Sequence, residues 1–86
     1  MRKISHTDVV VEGRGFNVSV YEADGRWYMN LRPDTPSKEA ERVAMKFWEA
    51  VGEDSWRSQA EGKREISRAI KKKKAKWNGW HKETYD

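Results

Sequence analysis

This sequence predicts an α+β fold: a three-stranded antiparallel β-meander packed on one amphipathic helix and followed by a basic C-terminal helical segment. Three observations lead there. Short runs in the first third alternate apolar and polar residues between turn residues; Ala40, Val43, Ala44, Phe47, Trp48 and Val51 then recur with a helical period; and the last third turns to Lys and Arg.

The expected strands cover 8–12, 16–22 and 26–32, with Gly13-Arg14-Gly15 joining the first pair and Asp24-Gly25 the second. Asp-Gly suits a two-residue hairpin because both central positions need positive φ. Alternation gathers Val9, Val11, Phe16, Val18, Val20, Trp27, Met29 and Leu31 on one face, which needs a cover. Thr35-Pro36 offers it by opening a helix, with Thr as N-cap and Pro at the first position, where its missing N–H costs nothing. The apolar stripe from Ala40 to Val51 faces the sheet, and Gly52 ends the helix in a left-handed cap. Asp54 or Ser55 can cap a second helix with Trp56, Ala60, Ile66, Ala69 and Ile70 as apolar positions; Gly62 within it marks either a break or a tolerated kink.

Composition supports one domain over 1–86, with a body at 8–52 and a basic segment at 53–86. Charged residues make up 37% of the chain and hydrophobic ones 36%, so one modest core is expected, with part of the chain outside it. Charge is uneven along the sequence. Residues 1–54 hold eight Lys/Arg against ten Asp/Glu, a net −2, whereas 55–86 hold ten against four, a net +6. Such asymmetry points to a polyanion met by one part of the chain. The absence of cysteine and of an apolar leader-like run leads to the expectation of a cytoplasmic protein with no membrane partner.

Lys71, Lys72, Lys73 and Lys74 sweep most of a helix's circumference, because successive residues are about 100° apart. Lys73 falls on the stripe used by Ile66 and Ile70, so the helix is expected to leave the body beyond Ile70 as a basic arm, or to fray. With Lys63, Arg64, Arg68 and Lys76 this arm can lie along nucleic-acid phosphates; the bland alternative is a solvated helix end with cations suitably placed at its C-terminus. The outward sheet face, with Asn17, Ser19, Tyr21, Arg26, Tyr28, Asn30 and Arg32, is a second candidate surface, although exposed sheet faces are usually polar and Tyr21 with Tyr28 can simply stabilise the ribbon. Trp77 and Trp80 flank Asn78-Gly79, where they can clasp a turn, dock on the core or anchor a partner; Trp27, Trp48 and Trp56 read as core.

A three-stranded sheet backed by one helix resembles, in layout, the sheet-reading DNA-binding domains at the N-termini of some phage and transposon integrases. The resemblance covers 8–52, rests on architecture without a shared motif, and transfers no residue roles.

Nothing points to catalysis. His6 and His81 lie near opposite ends, no acids pair at ligand spacing, and Gly13-Arg14-Gly15 is too short for a phosphate-binding loop, so neither a metal nor a cofactor is expected. The function expected is non-enzymatic nucleic-acid binding, DNA or RNA, through phosphates. In that reading the basic segment holds the backbone and Arg26, Tyr28 and Arg32 help from the sheet, whereas Tyr21, Trp77 and Trp80 are the anchors expected if the partner is a protein. The alternative is a small phage-type inhibitor that occludes an acidic protein surface of a nucleic-acid-processing or defence complex.

Overall fold

The computed structural model describes residues 3–80 and 84–85, which form a two-layer α+β fold. Strands β1 (Lys3–Val11), β2 (Arg14–Ala23) and β3 (Arg26–Pro33) make the meander; α1 (Lys38–Val51) and α2 (Gln59–Lys72) follow, then the two-residue strands β4 (Lys76–Trp77) and β5 (Thr84–Tyr85). The sheet order is β3-β2-β1-β4, all antiparallel, with β5 also pairing β1.

Both hairpins close through two-residue turns. Asp24 and Gly25 have φ of 51° and 80°, as a twist-matched turn requires. The first turn differs from expectation: it consists of Glu12 and Gly13, at φ 51° and 78°, and Arg14 pairs directly with Val11. Gly15 therefore belongs to β2, with the Asp34 carboxylate lying over the place a side chain would occupy. The first strand also begins earlier than hydrophobicity suggests. Ser5 and Thr7 continue the inward alternation of Val9 and Val11 and are completely buried, and each is satisfied from outside the meander: Gln59 Nε2 donates to Ser5 Oγ at 2.6 Å, and Thr7 Oγ1 donates to the Gly79 carbonyl at 2.7 Å.

Both helices cover the same face of the sheet. Val9, Val11, Phe16, Val18, Val20 and Met29 from the strands meet Ala40, Val43, Phe47 and Val51 of α1, and Ile66, Ala69 and Ile70 of α2. α1 starts later than Thr35-Pro36 implied: Ser37 is the N-cap, accepting from Ala40 N at 3.0 Å, and Pro36 precedes it. Gly52 ends α1 at φ 80°, donating its N–H to the Trp48 carbonyl at 3.1 Å, as read from the sequence. The second N-cap is Ser58 rather than Asp54 or Ser55, with the Glu61 N–H donating to its hydroxyl at 3.2 Å.

The segment before α2 is occupied in another way. Trp56 exchanges two backbone hydrogen bonds with Trp27, at 2.9 and 2.8 Å, on the free side of β3, and its ring is fully buried. Gly62 does not break the helix. It is the fourth residue of α2, where a Cβ would stand 2.9 Å from Trp56 Cε3.

The expected projecting arm is replaced by a return to the sheet. α2 stops at Lys72, Lys74 adopts a left-handed conformation at φ 53°, and the chain reverses into β4, where Val10 faces Lys76 and Val9 faces Trp77. Ala75 N–H to Ile70 O and Lys74 N–H to Lys71 O, each 3.0 Å, form the paired bonds of a Schellman ending. The physical reason is that β1 has an unpaired edge beside the end of α2, and a two-residue strand satisfies part of it. Residues 81–83 and 86 of the expected basic helical segment, His81 among them, lie outside the described residues. Among the described residues, no helix is long and apolar enough to cross a membrane.

Candidate nucleic-acid interface

α2 buries Gly62, Ile66, Ala69 and Ile70, which leaves the opposite side to solvent. Arg64, Arg68, Lys71 and Lys72 are exposed there, and Lys74 is exposed in the turn that follows. Both acids on this helix are only half-exposed. Glu65, with 22% of its side chain accessible, binds Arg68 Nη2 at 2.8 Å, so Arg68 carries less free charge than its neighbours. Lys73, at the helix end, is half-buried, in keeping with its position on the Ile66–Ile70 stripe.

One flank of α2 meets the C-terminal tryptophans. Trp80 Nε1 donates to Ser67 Oγ at 3.1 Å, and Ser67 in turn donates to the Lys63 carbonyl one turn back, at 2.7 Å. The Lys63 ammonium stands 5.6 Å from the Trp80 ring centroid, a cation–π distance. Trp77 meets Trp80 edge-to-face, with centroids 5.8 Å apart and planes at 88°. Both rings are half-buried and pack on the core, so of the three roles open in the sequence both clasping the turn and docking on the core are observed, with part of each ring left accessible. Arg64, Ser67, Arg68 and Lys71 line an open groove of about 410 Å³ beside this cluster.

The other predicted residues lie on the far side of the sheet. Tyr21 and Tyr28 face each other across β2 and β3 and stack, centroids 5.8 Å apart at 29°. Arg26 donates from Nε and Nη2 to Ser55 Oγ, at 3.1 and 2.7 Å, which ties it to the α1–α2 connection. Arg32 faces Asn17, whose amide reaches Asp8 at 3.2 Å. Lys76 shares this outer face through its pairing with Val10. Helices cover only the inner face, so the exposed side of α2 and the Tyr21–Tyr28 surface point in opposite directions. The predicted residues thus form two separate surfaces: a basic ridge on α2, where Glu65 is engaged by Arg68, and a mixed sheet face that includes Asp8.

Ser67 was missed by sequence reasoning. Its spacing, four residues from both Lys63 and Lys71, places it on the same flank, but nothing local shows that Trp80 returns to it. No group of three His, Cys, Asp or Glu able to hold a metal occurs among the described residues. The chain matches no protein-family model, no curated protein and no solved structure.

Proposed function

We propose that the chain is a small non-enzymatic nucleic-acid-binding protein that holds phosphates along the exposed ridge of α2 and the turn after it. One observation carries this reading: Arg64, Lys71, Lys72 and Lys74 stand exposed together, while Glu65, within the ridge, is largely buried and engaged by Arg68, which leaves Glu61 at the start of α2 as the other acid of the helix. Such a ridge displaces condensed counterions from a polyanion and reads no sequence by itself. The sheet face is turned away, so it serves either a separate segment of the same ligand or no ligand at all.

The test is a titration with labelled duplex and single-stranded DNA and RNA at several salt concentrations. If those four cations each neutralise one phosphate, log affinity for duplex falls by about 3.6 per decade of salt, at about 0.9 per contact. Replacing Lys71, Lys72, Lys73 and Lys74 with Gln then weakens binding to every sequence and flattens that slope. An unchanged slope removes the phosphate role from this ridge. Negligible binding of the wild-type protein at low salt instead favours occlusion of an acidic protein surface as the mode of action.

A further inference from the structure

We infer that the groove on α2 is a single-strand site, taking one unpaired nucleotide with its phosphate between Arg64 and Lys71 and its base on Trp80. This rests on the nucleic-acid reading above and deepens it. The groove, at about 410 Å³, is of the size that small-molecule sites use, and its rim is cationic on both sides of Ser67. Its aromatic neighbour is held in place: the indole N–H of Trp80 is fixed by Ser67 Oγ at 3.1 Å, and Trp77 braces the ring edge-on. A ring held this way loses little further freedom when a base stacks on it, whereas a free surface tryptophan would.

Lys63 fits the same occupant. Its ammonium rests over the ring at 5.6 Å, where an arriving base displaces it, and the freed charge remains on the residue next to the phosphate-holding Arg64. In a duplex the faces of the bases are covered by their neighbours, so an aromatic platform discriminates for unpaired strands, while the lysines alone do not.

Fluorescence anisotropy with a labelled oligothymidylate and with the same strand annealed to oligoadenylate tests this, using the full chain and the variants Trp80→Ala, Ser67→Ala and Arg64→Gln, each checked for folding by circular dichroism. Trp80→Ala is expected to lower single-strand affinity by about tenfold or more, the loss of one stacked base, and to leave duplex affinity nearly unchanged. Ser67→Ala keeps the ring but frees it, and lowers single-strand affinity by a smaller factor. Equal losses on both oligonucleotides, or none on the single strand, overturn the stacking site while the phosphate ridge stands on its salt slope. Should Trp80→Ala fail to fold, Ser67→Ala decides: a selective single-strand loss supports the site, and no selective loss removes it. If the wild-type chain binds neither oligonucleotide at low salt, the ridge and the groove fall together.

Discussion

Gly62→Ala tests the packing of α2 against its own preceding loop, because two effects of opposite sign meet at that position. Glycine inside a helix costs about 1 kcal/mol relative to alanine, so propensity alone makes the substitution stabilising by about that amount. The structure opposes it. The added methyl would lie 2.9 Å from Trp56 Cε3 and 3.3 Å from Cδ2, and the ring it meets is only 1% exposed and held by two backbone bonds to Trp27. The ring has little room to yield. Overpacking a close-packed site costs about 1–3 kcal/mol, so the net expected effect is a destabilisation of about 1 kcal/mol, or about 4–8 °C in melting temperature for a domain of this size. Urea denaturation followed by tryptophan fluorescence measures it. In a Trp56→Leu background the ring is gone, and the same Gly62→Ala change is expected to stabilise by about 1 kcal/mol, a coupling of about 2 kcal/mol between the two sites. If Gly62→Ala stabilises the wild-type chain by the full propensity value, the close approach of Trp56 to α2 is wrong.

Two further substitutions examine how the basic segment is brought back to the sheet. Lys74→Gly relieves a left-handed backbone and is expected to raise stability by about 0.5–1 kcal/mol in the same denaturation assay, while lowering the salt slope on duplex DNA by only about one contact, 0.9. A loss of stability would argue against the helix ending at this residue. Thr7→Val keeps shape but removes the donor to the Gly79 carbonyl, and is expected to cost about 1–3 kcal/mol if that carbonyl is left without a partner. Hydrogen exchange should then rise first around Trp77; exchange unchanged there would show that Thr7 does not anchor the segment.

Much of the sheet was legible because its signals are local. Asp24-Gly25 names its own turn, and the alternation from Phe16 to Leu31 allows one register only, since a slip of one residue would turn Phe16 and Val18 to solvent. The first helix was legible for the same reason, from a stripe repeated over three turns and a glycine in the right place to stop it. Where local signals compete, the reading erred by a few residues. Ser37 rather than Thr35 caps α1, and the Ser58-Gln59-Ala60-Glu61 run has the form of a capping box that marks the start of α2 more firmly than Asp54 or Ser55.

The sequence by itself therefore determined the meander, the buried stripe of α1 and the concentration of positive charge after residue 55, because turn geometry, side-chain period and composition are properties of neighbouring residues. Tertiary structure decided the rest. Four successive lysines correctly implied that a docked helix cannot continue, but where the chain goes next depends on the unpaired edge of β1, far away in sequence. Burial of Ser5 and Thr7 depends on Gln59 and Gly79, the need for a glycine at 62 depends on Trp56, and the placement of Trp80 beside the cations of α2 depends on Ser67. Each of these is a contact between distant segments, settled only when the core brings them together.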